Sequence, residues 1–87
     1  MLKINKEHVS KLMLIEAYAE KHKTEERINL FKEKYKLNFS EFEEQVFEKD
    51  ESFEQYDDLM EWKAYENTLN DIKQRIHELQ SGNIQVA

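Results

Sequence analysis

The chain of 87 residues contains no cysteine, no proline and a single glycine. Without cysteine it can form no disulfide, no thiolate zinc site and no iron–sulfur cluster, and thiol catalysis is excluded. With one glycine and no proline it has few residues suited to tight turns, which argues against a β-sandwich or barrel. The length suits one small domain. These absences favour a single all-α domain.

Long apolar runs are also missing. The longest run, Leu12–Ile15, is followed directly by Glu16, whereas a helix that spans a bilayer needs roughly 18 apolar residues. The first ten residues contain no apolar stretch of the kind found in signal peptides. Leu2 stands where N-myristoylation requires glycine. We therefore expect a cytoplasmic protein that does not contact membranes.

The first predicted helix runs from about residue 6 to residue 36, with Asn5 as its N-cap. Apolar residues at spacings of three and four form one stripe on it. That stripe is Val9, Leu12, Ile15, Ala19 and His22. It is widened by Met13, Leu14, Ala17 and Tyr18, so burial of two faces of this helix is also open. A second stripe, out of phase with the first, is Ile28, Phe31 and Tyr35. Either the helix breaks near Thr24, which can cap a new helix, or one continuous helix meets different neighbours along its halves. The lack of glycine and proline favours the continuous helix.

A turn and a short helix follow. Residues 36–39 form the turn, in which Asn38 is the residue best suited to a left-handed conformation. Ser40 and Glu43 match a capping box, in which the serine caps the helix and the glutamate reaches back to it. This pattern predicts a short helix over residues 40–48. Its apolar edge contains Phe39, Phe42, Val46 and Phe47.

The last predicted helix, residues 53–80, has the strongest pattern in the chain. Ser52 is its expected N-cap, Gly82 its expected stop, and residues 81–87 form a tail. Six of its residues follow an unbroken heptad spacing, which is typical of a helix packed along a helical partner. This seam is Trp62, Tyr65, Leu69, Ile72, Ile76 and Leu79. The sequence thus predicts a helical hairpin, in which a short helix connects two long ones.

A two-helix hairpin buries less of its surface than a compact domain of the same length. We therefore expect an apolar side to remain open for a second copy of the chain or for a partner protein. The candidate interface combines the heptad seam with two phenylalanines of the short helix. Its residues are Phe42, Phe47, Trp62, Tyr65, Leu69, Ile72, Ile76 and Leu79.

Negative charge is concentrated in the middle of the chain. Residues 37–61 contain one lysine and ten acidic residues, net -9, within a chain of net charge -6. One interpretation is a solvated face that partly complements the basic N-terminal helix. The other is a docking surface for a basic partner, whereas phosphates would be repelled, so direct nucleic-acid binding is not expected. The candidate acidic residues are Glu43, Glu44, Glu51, Asp57, Asp58 and Glu61.

The sequence contains no catalytic or metal-binding motif. Its three histidines, His8, His22 and His77, are each preceded three positions earlier by a residue other than glutamate. The usual helical di-iron pattern is therefore absent. Neither a glycine-rich phosphate loop nor a nucleophile–base motif is present. We expect no metal, no cofactor and no enzymatic activity.

Two stretches of the chain carry a family resemblance. They are residues 35–43, YKLNFSEFE, and residues 56–65, YDDLMEWKAY. In this order of elements the chain resembles, over roughly residues 28–80, small acidic helical proteins that are encoded beside a TumE-type toxin and act as its antitoxin. Those relatives often have a Gly-Met pair where this chain has Lys36 and Leu37.

The resemblance implies an antitoxin-like component of a toxin–antitoxin pair that neutralises a basic protein. In such a pair, buried aromatics such as Phe42, Phe47 and Trp62 would hold the complex together. The alternative is a stand-alone structural or adaptor protein, a homodimeric coiled coil whose seam pairs with itself.

Overall fold

The computed structural model describes residues 6–49 and 52–82, which form three helices. They are α1 (Lys6–Tyr35), α2 (Phe39–Lys49) and α3 (Phe53–Gln80). The two long helices pack against each other in antiparallel orientation, and α2 lies between them in sequence and contacts α3. This confirms the predicted all-α helical hairpin. The predicted cap Asn5, the predicted docking residue Glu51 and the tail beyond Gly82 lie outside the described residues.

Helix α1 is continuous, without a break at Thr24. Thr24 is buried in the middle of the helix, with 8% of its surface exposed. The buried or partly buried side of α1 follows one heptad spacing along its length. Its residues are Leu14, Ala17, Lys21, Thr24, Ile28, Phe31 and Tyr35, with Met13 beside Leu14. The stripe predicted for the first half of the helix is not the packing face, because Leu12, Ile15, Ala19 and His22 are exposed.

The heptad seam of α3 packs along α1 of the same chain. Near the open end of the hairpin, Ala17 of α1 forms a cluster with Ile72, Ile76 and Leu79 of α3. Nearer the turn, Ile28 of α1 joins a second cluster that also contains residues of α2. The helical partner that the heptad spacing predicts is thus α1 itself.

An aromatic cluster joins the three helices at the closed end of the hairpin. Trp62 of α3 is at its centre and has 0% of its surface exposed. Its ring lies 5.6 Å from that of Phe31 on α1, 5.4 Å from Phe42 and 5.6 Å from Phe39 on α2. The indole Nε1 donates a hydrogen bond to Oε1 of Glu66 at 3.1 Å, so the only polar atom of the ring is satisfied.

The turn between α1 and α2 differs in detail from the prediction. Lys36 takes the left-handed conformation with φ of 58°, whereas Asn38 was expected there. Asn38 instead caps α2: its Oδ1 accepts from the Glu41 N–H at 2.9 Å, and Oε1 of Glu41 accepts from the Asn38 N–H at 3.1 Å. The predicted capping box of Ser40 and Glu43 is therefore wrong by two positions. Asparagine is as effective an N-cap as serine, which makes this earlier start favourable.

The ends of α3 are as predicted. Oγ of Ser52 accepts a hydrogen bond from the Gln55 N–H at 3.4 Å, which satisfies one of the free donors of the first turn. At the other end, the Ser81 N–H donates to the carbonyl of His77 at 3.0 Å. Gly82 follows with φ of 75°, a left-handed conformation that glycine adopts without steric cost.

Candidate protein-interaction surface

An ion-pair clasp ties the end of α1 to the start of α3. Nζ of Lys34 donates to Oδ2 of Asp58 at 2.8 Å and to Oε1 of Glu54 at 2.9 Å. The hydroxyl of the adjacent Tyr35 also donates to Oδ2 of Asp58. Asp58, which the sequence analysis assigned to a docking surface, thus bonds to α1 of its own chain. We call Lys34, Tyr35, Glu54 and Asp58 the clasp.

The clasp shifts the proton affinities of its members. Burial raises the pKa of the Asp58 carboxyl, but hydrogen bonds from Lys34 and Tyr35 outweigh it, so that the pKa lies below its usual value. Burial and the bond to Asp58 raise the pKa of Tyr35 to about 12. Hydrogen bonds to Asp58 and Glu54 raise the pKa of Lys34. The shifts of Lys34 and Asp58 both favour the charged forms, so these two residues form an ion pair between α1 and α3.

An apolar ridge lies on the opposite side of α3 from the seam. Phe53, Tyr56 and Met60 follow the spacing i, i+3, i+7, which places them above one another on one helix face. All three are exposed, and Phe53 has 91% of its surface exposed. Scattered exposed apolar residues are ordinary, whereas a contiguous row of large ones marks an interaction site in many proteins.

Carboxylates lie beside this ridge. Asp57 and Glu61 are each one residue beyond a member of the ridge, so they form a parallel row on the neighbouring strip of the helix surface. On α2, Phe47 has 67% of its surface exposed, and the exposed Glu44 precedes it by one turn. We call the exposed residues on these two strips of α3 the acidic corner. It comprises Phe53, Tyr56, Asp57, Met60 and Glu61.

Most of the residues predicted to form an interface lie inside the hairpin. Six are buried between helices of the same chain: Phe42, Trp62, Leu69, Ile72, Ile76 and Leu79. Tyr65 is half-buried, and Phe47 is exposed. A partner can reach the six buried residues only if the hairpin opens. The prediction that they form an interface therefore requires a different conformation from the one described.

The predicted acidic residues are divided between several environments. Glu44, Asp57 and Glu61 are exposed, Glu43 is half-buried and Asp58 belongs to the clasp. Glu61 also accepts a hydrogen bond from the Tyr65 hydroxyl at 3.3 Å. The apolar ridge was not among the residues predicted from the sequence, although its i, i+3, i+7 spacing is visible there. The ridge could have been found as a second apolar stripe about 180° from the seam.

Within residues 6–49 and 52–82, no group of three or more His, Asp or Glu side chains is arranged to hold a metal ion. None of the three helices is long and apolar enough to cross a bilayer. Comparisons with family models, with curated proteins and with solved structures find no match for the chain.

Proposed function

We propose that the chain is a cytoplasmic protein-interaction module that binds a basic protein through the acidic corner. Its proposed role is that of the antitoxin-like component of a toxin–antitoxin pair. The observation that supports this is the row of exposed apolar side chains beside a row of carboxylates on the first three turns of α3. A face of this kind is complementary to a partner that combines apolar and cationic groups.

The two rows have different roles in this proposal. Carboxylates attract a cationic surface over a distance of about 10 Å at moderate salt, which accelerates encounter and fixes the orientation of the partner. Burial of large apolar side chains then supplies most of the binding free energy. A toxin that acts on nucleic acid needs positive charge to hold phosphates. Carboxylates that cover this charge exclude the nucleic acid, which is how binding neutralises the toxin.

The first test is coexpression of the tagged chain with its genomic neighbours. The proposal predicts that a small basic neighbour arrests growth when expressed alone and that the chain relieves the arrest. It also predicts that the two proteins copurify in a fixed ratio at low salt and separate at high salt, because screening weakens exposed charge pairs. Growth arrest that the chain does not relieve would refute the antitoxin role.

A charge-reversal pair locates the binding surface. The double variant Asp57→Lys, Glu61→Lys is expected to abolish rescue and copurification, because it places cations where the partner carries its own. The matched control is Asp71→Lys, Glu78→Lys, which makes the same charge change on exposed residues of α3 outside the acidic corner. If both double variants weaken binding equally, net charge and not the acidic corner controls the interaction.

A second pair tests the apolar row. Phe53→Ala removes the most exposed aromatic ring of the acidic corner and is expected to weaken binding by about tenfold or more, which is the scale of an interface hot spot. Leu30→Ala, also at an exposed apolar residue but on α1, is the control. If the chain coexpressed with its genomic neighbours copurifies with none of them, the alternative of a stand-alone structural or adaptor protein is favoured.

A further inference from the structure

The side of α1 that points away from α3 has its own apolar stripe. Residues at alternating spacings of four and three share this side, and they include two large aliphatic side chains. Leu12 has 53% and Ile15 66% of its surface exposed. We call this stripe the α1 outer face. It consists of His8, Leu12, Ile15, Ala19, His22 and Glu26.

We propose that a second copy of the chain covers the α1 outer face, with the two α1 helices antiparallel. The heptad spacing of the stripe is the spacing by which helices pair side by side. In this arrangement Ile15 lies opposite Ala19 of the second copy, so that a large residue meets a small one. Leu12 then lies opposite His22, and the stripe is self-complementary, as an interface with twofold symmetry requires.

The charges at the edges of the stripe favour the antiparallel orientation. Glu26 forms an ion pair with His22 of its own helix, with Nε2 and Oε1 3.1 Å apart, and in this register His8 of the second copy lies beside the same carboxylate. Lys11, Tyr18 and Glu25 follow one another at seven-residue intervals along one flank. Antiparallel pairing brings Lys11 of each copy towards Glu25 of the other. Tyr18 lies between these two positions, and its hydroxyl accepts a hydrogen bond from Nε2 of Gln80 on α3 of its own chain at 2.8 Å. Parallel pairing would instead place Glu26 opposite Glu26, which is unfavourable.

The charges beside the α1 outer face favour a second copy of the chain, whereas those of the acidic corner favour a basic partner. The flanks of the α1 outer face carry lysines and glutamates together, whereas residues 37–61 are net -9. A surface that contains both members of each charge pair fits its own copy. The paired segment of residues 8–26 is about 27 Å long at 1.5 Å per residue. An interface of this size is small among specific protein–protein interfaces. We therefore expect a weak dimer, whose population rises with the concentration of the chain.

Sedimentation of the purified chain across a range of concentrations tests self-association without any other partner, so its outcome is independent of the proposed function. The expected result is a monomer–dimer equilibrium. Ile15→Glu is expected to weaken it by about tenfold or more, because each dimer buries the new charge twice. Leu30→Glu, at an exposed residue of α1 beyond the paired segment, is the control and should leave it unchanged. A chain that is monomeric at every concentration overturns the proposal.

Single cysteines test the orientation, since the chain has none of its own. Under mild oxidation, an equal mixture of the Ile15→Cys and Ala19→Cys variants is expected to give several times more disulfide-linked dimer than either variant alone. Only opposed positions come within the distance that a disulfide allows. Leu30→Cys is the background control. Strong linkage of each variant with itself would overturn the antiparallel arrangement, and linkage no greater than that of Leu30→Cys would overturn the interface.

One like-charge contact predicts a variant that strengthens the dimer instead of weakening it. Glu16 lies on the other flank, close to the twofold axis, so each copy places its carboxylate near that of the other. Glu16→Gln removes this repulsion and is expected to tighten the dimer a few-fold, with a larger effect at low salt. A weaker dimer would show that Glu16 meets a cation across the interface and would contradict this register.

Discussion

Replacement of Trp62 by alanine is expected to be the most damaging single change to the fold. The side chain is fully buried, and its ring contacts aromatic rings from α1 and α2. Trp→Ala changes at such positions cost about 3–5 kcal/mol, because the transfer free energy is lost and a cavity remains. A chain of this length has a free energy of unfolding of roughly 4–13 kcal/mol. The variant therefore loses between about a quarter of its stability and all of it.

Thermal unfolding followed by far-UV circular dichroism measures this loss. For a domain of this size, 1 kcal/mol shifts the Tm by roughly 4–8 °C, so Trp62→Ala is expected to lower it by about 12–40 °C. Trp62→Phe keeps a ring and is expected to retain the fold with an intermediate Tm. Phe53→Ala, an aromatic change on the outer side of the same helix, should alter stability by no more than about 0.5 kcal/mol. If Trp62→Ala were as mild as Phe53→Ala, the aromatic cluster would not be the centre of the core.

Four further predictions concern the clasp and the turn. Because the pKa of Asp58 is lowered from 3.8 in the fold, stability should be complete above that value and fall as the pH drops through the folded pKa; Asp58→Asn should flatten this acid limb in urea titrations. The pKa of Tyr35 is raised from 10.0 to about 12, so stability should also fall as the pH rises through that interval, which Tyr35→Phe should reduce. Lys36→Gly should stabilise the chain by about 0.5–1 kcal/mol, since glycine adopts the left-handed conformation freely, and Asn38→Ala should destabilise it by about 1 kcal/mol through loss of the cap; thermal melts that place either variant on the other side of the wild type would contradict these assignments.

The helices and their order could be predicted from the sequence because the signals are local. The spacing of Trp62, Leu69 and Ile76 defines one face of α3 whatever the rest of the chain does, since the helical repeat is constant. Cap chemistry is equally local, and Ser52 and Gly82 act where the sequence places them. The position of α2 was predicted to within one residue at each end, although Asn38 and not Ser40 provides its cap.

Tertiary packing decided which face of the first half of α1 is buried. Hydrophobicity alone points to Leu12 and Ile15, yet the hairpin buries Ala17 and Thr24. Ile28, Phe31 and Tyr35 of α1 pack in the cluster around Trp62. Because α1 is one rigid helix, this contact fixes which face of its first half is turned towards α3. On that face, Ala17 and Thr24 are small enough for the two long helices to approach closely. The hydrophobicity of the first half of α1 does not reveal this constraint, because the constraint comes from residues several turns further along the helix.

The accessible surfaces were decided in the same way. Asp58 and Glu61 have the same local character in the sequence, but antiparallel packing brings Lys34, 24 positions earlier in the chain, onto Asp58 and leaves Glu61 exposed. The seam of α3 faces inward because α1 is present to cover it, and the apolar ridge that begins at Phe53 faces outward for the same reason. Composition, helical period and caps thus determined what the chain is built from. Which of its apolar and acidic residues can meet another molecule depended on how the two long helices pair, because burial depends on contacts between residues distant in sequence.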